Sequence, residues 1–346
     1  MARLACFSEG EFRVPPSSES TNRPLVSVCL THHERPAYLD IAVESLLVQD
    51  YSNFEVLLVD DGSRSEGARD ALARLEPVFQ SRGWRILRQE NRYLGAARNA
   101  AARAARGEYL LFMDDDNVAK PQEISTFVRI AENTQADIVT CLIDMFPGEG
   151  QPEPGSPSNC RWLIAGLASY LGIVKNCFGD ANALVRRTSF EALGGFTEDY
   201  GVGHEDWEFF ARACLNGMRL ELIPDALFWY RFNETSMVRS TAKLPNYQRS
   251  LRPFLEQCPA ELQEVMRMAQ GQALHVRELY DQIDLLATKL GLLEQHASQL
   301  EFQLMRRELH LQQARYRFAD KLNQGLKRLP AAHDLARRLL RSKEEW

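Results

Sequence analysis

Three aspartates stand in a row, Asp114, Asp115 and Asp116, directly after an apolar run at 109–113. Adjacent carboxylates repel: at an effective dielectric near 20, two charges about 4 Å apart cost roughly 4 kcal/mol. A helix N-cap needs one Asp or Asn, so three exceed that role. A divalent cation offsets the repulsion, since Mg2+ binds through one or two carboxylates and completes its shell with substrate phosphates. Asp114 and Asp116 frame an Asp-x-Asp pattern. A loop after a strand cannot aim all three side chains at one ion, so one or two of them would ligate. A second acidic pair, Asp60 and Asp61, closes another apolar run, "FEVLLVDDGS".

The surrounding pattern shows what must hold these carboxylates. From Leu25 on, short apolar runs such as "LVSVCLT", "FEVLLV", "WRILRQ", "EYLLFM" and "DIVTCLID" alternate with helix-like stretches. These include "PAYLDIAVESLLVQD", "SEGARDALARLEPVFQ", "GAARNAAARAARG", closed by Gly107, and "QEISTFVRIAENTQ". Strands of four to eight residues alternating with helices predict an α/β fold, a Rossmann-like doubly wound and mostly parallel sheet. Ligands of such sheets bind beyond the carboxyl ends of the strands, where both acidic clusters sit. The segment 146–159 is rich in Gly and Pro and predicts a loop of the kind that serves as a lid. Residues 1–24 have linker composition.

Past Pro259 a heptad appears. Val276, Ile283, Leu290, Ala297, Leu304, Leu311 and Phe318 fall on one core position. Leu279, Leu286, Leu293, Leu300, Arg307 and Ala314 fall on the other. About six heptads exceed the three to four expected of a coiled coil. Glu294, Glu301 and Glu308 share one flank, and Lys289 on the other flank would face Glu294 of a parallel partner. Leu285, Leu292, Phe302 and Leu309 lie outside the seam, which leaves a higher oligomer or docking onto the preceding α/β body open. A helical hairpin within one chain is the competing reading. From Arg315 to Trp346 nine Lys or Arg stand against four Asp or Glu. That tail reads either as a basic amphipathic helix on an anionic membrane or as a plain solvated helix.

The 346 residues are 45% hydrophobic and 25% charged, ample for a sizeable core. A net charge of −6 argues against a general nucleic-acid binder. Seven scattered cysteines without a CxxC pair argue against structural zinc and a disulfide framework, and for reduced cytosolic thiols. The apolar stretch 162–174 is too short to span a bilayer. The expectation is a soluble chain in the cytoplasm, with attachment at the inner face of the membrane left open.

In combination these motifs resemble family 2 glycosyltransferases, which have the GT-A fold. The carriers, in order, are "VSVCLTHHERP", "LLVQDY" and "FEVLLVDDGS", then "GAARN", "DDD", "GGF" and "HEDWEF". The resemblance covers Leu25 to about Ser240. It implies that Thr31, His33, Asp60 and Asp61 hold the base and ribose of a nucleoside diphosphate sugar. Asp61 can accept from a uracil or ribose donor, and His33 offers an aromatic face. Glu34 departs from the Asn usual near that position. Arg98, at the start of the "GAARN" helix, would point at the diphosphate, where helix N-termini favour anions; a surface charge on an Ala-rich helix is the alternative. Asp116 would ligate a Mn2+ or Mg2+ ion, and Asp114, with Asp115 beside it, would touch the sugar or ribose. The ion would offset the charge developing on the leaving nucleoside diphosphate.

In "GHEDWEFFAR" the resemblance implies that Asp206 is the general base of an inverting transfer. His204, Glu205 and Trp207 would shape the acceptor side, and Asp180 would contact the sugar or acceptor. A helix-start reading is also available, because Glu205 and Asp206 in a first turn complement the helix dipole. "GGF" at 194–196 implies a structural tight turn. Asn233 stands where many members carry a histidine that completes the metal shell; its amide oxygen can still ligate a hard cation. The implied activity is transfer from a nucleoside diphosphate sugar, with UDP-sugar expected, to a glycan or lipid-linked hydroxyl in cell-surface polysaccharide or lipopolysaccharide synthesis. A glycosyltransferase-shaped scaffold working through its coiled coil is the alternative. A nucleotidyltransferase is a weaker one, since "THHERPAY" lacks a Gly-rich phosphate loop. The domains expected are an arm at 1–24, a catalytic domain at 25–258 and a helical region at 259–346, with the coiled coil at about 276–318.

Overall fold

The computed structural model describes residues 23–148, 150–152, 160–166, 168, 171–232 and 241–327. The polar arm, most of the expected lid loop, Asn233 and the basic tail after 327 lie outside the described residues. The chain divides into two compact units, 1–270 and 271–346. The first therefore runs about a dozen residues past the boundary expected at Pro259.

Apolar runs become strands where both faces are covered. β1 (Val26–His32), β2 (Phe54–Asp61) and β4 (Tyr109–Asp114) are buried almost throughout, as a central parallel sheet requires. Between them come α1 (Pro36–Leu47), α2 (Glu66–Arg82), β3 (Arg85–Gln89) and α3 (Leu94–Ala104). Then follow β5 (Val118–Ala119), α4 (Glu123–Thr134), β6 (Ile138–Pro147), β7 (Cys160–Trp162) and β8 (Leu184–Arg186). α5 (Arg187–Ala192), α6 (Glu205–Leu215), β9 (Leu220–Phe232), α7 (Lys243–Gln257) and α8 (Ala260–Lys327) complete the described chain.

Among the described residues one mixed sheet of nine strands runs in the order β3-β2-β1-β4-β8-β6-β9-β5, with β7 paired to β6. The doubly wound α/β expectation holds, and the parallel part is β3-β2-β1-β4. Beyond β4 the pairing turns antiparallel at β8, β6 and β7, with β6 and β9 parallel. The β6–β9 register slips at Pro224 and Asp225, where a proline has no N–H for the ladder. Alternate residues of each strand serve opposite faces. Val28, Leu58 and Leu111 pack with Leu39, Leu72 and Phe127 of α1, α2 and α4. Cys29, Leu57 and Phe112 pack with Ala97, Phe190, Phe209 and Phe254 of α3, α5, α6 and α7.

One local expectation changes, and one competing reading falls away. α3 ends at Ala104 rather than at Gly107. Gly107 instead lies against β1, where a Cβ would stand 2.6 Å from the Ser27 nitrogen. In the second unit the segment 271–327 is one helix, not a hairpin. No helix among the described residues is long and apolar enough to cross a membrane. Among the described residues Cys29, Cys141, Cys177, Cys214 and Cys258 are free thiols.

Candidate active site

The chain lays β2 and β3 on one side of β1 and returns to lay β4 on the other, so strand order reverses between β1 and β4. That reversal opens a crevice at the strand carboxyl ends. Strand register sets Thr31 opposite Asp114. The Thr31 hydroxyl donates to Asp114 Oδ1 at 3.1 Å. Arg98 grips the same carboxylate from α3, with Nη2 2.8 Å from Oδ1 and 3.0 Å from Oδ2. Burial alone would raise the Asp114 pKa, but Arg98, Arg35 and Thr31 outweigh it and hold the carboxyl below its ordinary range.

The three aspartates diverge as the sequence required. Asp115 turns inward with no exposed side-chain surface; His32 Nδ1 lies 2.6 Å from Oδ2 and Arg35 Nη2 2.6 Å from Oδ1. It sits behind the site and does not reach a donor directly. Asp116 faces the crevice, paired with Arg35 Nη1. Burial, followed by the charges of Asp115 and Asp114, pushes the Asp116 carboxyl upward against the pull of Arg35.

Arg98 is 2% exposed, so it does not present itself to a diphosphate as expected. Its second nitrogen, Nη1, donates to Glu205 Oε1 at 2.6 Å. Glu205 is itself buried behind the first turn of α6, with Arg249 of α7 4.0 Å away. Arg249 continues the chain of charge to Glu208, Nε to Oε2 2.9 Å. Glu205 therefore anchors the helix rather than lining an acceptor surface. Trp207 is likewise core: it is 3% exposed and donates its indole N–H to Gly172 O at 2.7 Å. His204 takes a left-handed conformation, φ 65°, just before α6, and its ring packs on Trp207 and Tyr247.

Asp206 is the member of this turn that stays available. Its Oδ1 accepts from the Trp207 backbone N–H at 2.7 Å, and Oδ2 lies 3.4 Å from Asn176 Nδ2. Burial and then the Glu205 charge raise its pKa, with Arg98 opposing. Asp180 is pushed up to about 8 by burial and by Asp114 and Asp206. The Tyr230 hydroxyl is raised by burial and by the same carboxylates. These mutual influences set Asp114, Asp116, Asp180 and Asp206 around one crevice, although they come from three separate parts of the chain.

The expected base and ribose corner is more occupied. Asp61 accepts from Gln89 Nε2 at 2.7 Å and from the backbone N–H groups of Arg92 and Tyr93 at 2.9 and 2.8 Å. Three of the roughly four acceptor sites of a carboxylate are thus used in shaping the loop before α3. Asp60 accepts from the Ser63 N–H at 3.0 Å. Glu34, at φ 57°, accepts from the backbone of Arg64 and Ser65. Hydrogen bonding from the Ser65 side chain, then from those backbone groups, lowers its pKa to about 2, and the side chain ties the end of β1 to the loop after β2. His33 is exposed at the rim; its Nδ1 carries the proton, because it bonds the Asp61 carbonyl at 2.9 Å.

The donor set suits a divalent cation. Asp114 and Asp116 carry hard oxygen donors in a crevice whose carboxylates outnumber Arg35 and Arg98; burial first, and then that surplus of negative charge, raises Asp180 and Asp116. Among the described residues no three His, Cys, Asp or Glu side chains are grouped to hold an ion. One or two carboxylates suffice where phosphate oxygens and water complete the shell. Sequence reasoning missed Arg35, His32, Asn176, Tyr230 and Arg249. Arg35 left a trace, a cation beside the "HHERP" turn, but its pairing with the triplet requires β1 beside β4. The others left no local signal.

The model for "Glycosyl transferase family 2" matches residues 27–194, and that for "N-terminal domain of galactosyltransferase" matches 169–238. An uncharacterized glycosyltransferase of Nostoc sp., alr2836, is 25% identical over 239 residues, covering 64% of this chain and 69% of the relative. The O-antigen biosynthesis protein RfbC of Myxococcus xanthus is 29% identical over 250 residues, 60% of this chain but only 19% of that protein. The chain likewise spans a third of the putative glycosyltransferase EpsH of Bacillus subtilis. S. aureus TarS 1-349 in complex with UDP-GlcNAc superposes with a TM-score of 0.54 at 17% identity, over 72% of each chain. The mannosyltransferase PcManGT from Pyrobaculum calidifontis, in complex with GDP-Man and Mn2+, gives 0.53 at 19%, over 73% of each. Both likenesses establish the fold. The uncharacterized glycosyltransferase MJ1057 of Methanocaldococcus jannaschii is 30% identical over 221 residues, 61% of this chain and 71% of the relative. With a family model on the strand ends that build the crevice and a relative matched over most of its length, this chain belongs to glycosyl transferase family 2.

Proposed function

We propose that residues 25–258 transfer a sugar from a nucleoside diphosphate sugar to a hydroxyl of a glycan or lipid-linked acceptor, with inversion at the anomeric carbon. The observation that carries this reading is the meeting of Asp114, Asp116, Asp180 and Asp206 in one crevice, with the Asp206 carboxyl raised toward the range of a working base. Asp206 takes the proton from the acceptor hydroxyl. The acceptor oxygen bonds to the anomeric carbon as the bond from that carbon to the diphosphate breaks, and the nucleoside diphosphate leaves. Thr31, His33, Asp60 and Asp61 frame the base and ribose, with Glu34 holding the loop beside them. Asp114 meets the sugar or ribose, and Asp180 and His204 flank the acceptor side. Arg98, Asp115, Glu205 and Trp207 act from behind, by fixing Asp114 and the first turn of α6.

Asp116, with Asp114, is the pair that would hold Mn2+ or Mg2+, and the ion would supply charge neutralisation for the departing diphosphate. Asn233, outside the described residues, is the further candidate ligand. The similarity to TarS with UDP-GlcNAc supports a UDP-sugar, and that to PcManGT with GDP-Man and Mn2+ supports the metal. The likeness to RfbC supports work in cell-surface polysaccharide synthesis, and a chain in the cytoplasm or at the inner face of the membrane fits that reading. The test is Asp206→Asn, with transfer followed on a panel of sugar nucleotides and donor binding followed by thermal shift with Mn2+. Transfer is expected to vanish while the donor-induced rise in midpoint survives. Full transfer by the variant removes Asp206 as the base. Donor binding without transfer in the unmodified chain would leave a scaffold.

A further inference from the structure

We propose that residues 276–318 of α8 pair with the same residues of a second copy of this chain, as a parallel, in-register, two-stranded coiled coil. This does not rest on the catalytic reading. The segment is helical throughout. Its core positions are nevertheless open: Leu286, Leu293, Leu300 and Leu304 expose 63, 67, 52 and 60% of their surface. Helices in proteins owe most of their stability to burial of an apolar face, and a contiguous exposed stripe of this kind marks an interaction surface.

The charge pattern selects the occupant and its direction. In a parallel in-register pair each residue before a first core position faces the partner residue five places on. Lys289 then meets Glu294, and His296 meets Glu301. Arg307, the polar intrusion at a core position, lies beside the partner's Glu308 on the flank of its own layer. A shift of one heptad would set Arg307 against Leu300 or Ala314 instead. An antiparallel pair would bring the flank of Glu294, Glu301 and Glu308 against its own copy. His310 facing Arg315 is the pair of like sign, and only when the histidine is protonated.

The copy number follows from the core. The second position carries Leu279, Leu286, Leu293 and Leu300, the leucine layers of two-stranded coils, and the first opens with β-branched Val276 and Ile283 before turning to Leu290, Ala297, Leu304, Leu311 and Phe318. Outside the seam the apolar residues hold one position for at most three heptads, Phe302, Leu309 and Tyr316, far shorter than the seam itself. Leu285 and Leu292 share one outer position, whereas Phe302 and Leu309 share another.

Light scattering on the full chain is expected to give twice the single-chain mass. Leu286→Glu combined with Leu293→Glu should return it to one chain, with the donor-induced thermal shift retained. Under oxidation, Leu300→Cys should add a crosslinked two-chain band over the unmodified chain, because facing core residues lie within disulfide reach. Ser298→Cys, on the outer face, should add none. A single-chain mass for the unmodified protein, a mass of three chains or more, or an unchanged mass in the double variant overturns the proposal. So does a Leu300→Cys band no stronger than that of Ser298→Cys.

Discussion

Arg98 joins the two halves of the site through one guanidinium, and its burial makes that junction costly to lose. Removing one partner of a buried ion pair leaves the other charge uncompensated, at about 3–5 kcal/mol. Arg98→Met should therefore lower the unfolding free energy by an amount of that order, read as a lower urea midpoint at unchanged slope, and Arg98→Lys should recover only part of the loss, since lysine cannot fork between Asp114 and Glu205. A kinetic signature separates positioning from stability. Arg98 holds the Asp206 pKa down and Glu205 pushes it up. As a base Asp206 works only when ionised, so transfer rises with pH through its folded pKa. Arg98→Met should move that acid limb to higher pH, and Glu205→Gln should move it to lower pH. A limb that stays fixed in both variants removes Asp206 from the rate profile.

Two motifs that read separately in the sequence, "GAARN" and "GGF", fold onto one another. Asn99 Nδ2 donates to Phe196 O at 2.8 Å, and the Phe196 N–H donates back to Asn99 Oδ1 at 3.0 Å. At Gly95 a Cβ would stand 2.4 Å from Thr197 O, a backbone atom that cannot swing away. Gly195, at φ 74°, would place a Cβ 2.6 Å from Asn99 Oδ1. The glycines thus let α3 and the turn before α6 approach closely enough for Arg98 to span them. Gly95→Ala should cost about 1–3 kcal/mol by overpacking. A melting curve should show it, together with a fall in kcat larger than any change in donor KM, because the base moves relative to the donor. An unaltered melting curve would mean that the two elements do not meet this closely.

Across the whole molecule, buried carboxyls with raised pKa values set a pH dependence of stability. Glu123 is fully buried, bonded by Asn182 Nδ2 at 2.6 Å, and raised by burial to about 8; Asp180 is raised to about 8 as well. Between their ordinary values near 4 and about 8 the folded state keeps protons that the unfolded chain has released. Stability therefore falls as pH rises through that window, by up to about 1.4 kcal/mol per pH unit for each such group. Glu34 works in the opposite sense, because its stabilisation is present above the ordinary value of 4.5 and is lost toward about 2. The unfolding midpoint should peak in weak acid and decline toward pH 8. Glu123→Gln should flatten part of the decline; a slope that is the same in both chains rules out Glu123 as its source.

The alternation of strand and helix, the carboxylates at the strand ends and the heptad past Pro259 were all legible in one dimension, whereas the choice of one long helix over a hairpin came from the structure. Each of those legible patterns depends on neighbours within a few residues: a period of two or 3.6, a turn, a cap. Of the candidate site residues, the triplet at 114–116 and the pair at 60–61 stood out in their own local pattern, while Asp206 came forward only through the family resemblance. Tertiary structure decided which of them face the crevice. Asp115 and Asp116 are adjacent in sequence, yet one is buried against His32 and Arg35 and the other is turned outward, because β1 lies beside β4. Arg98 looked like a cation free to meet a diphosphate, and became a buried tie once α6 arrived from more than a hundred residues away. The repulsion of the triplet is met in part by Arg35 and Arg98. Those partners were invisible in one dimension because ion pairing depends on distance in space, which only the packed sheet fixes.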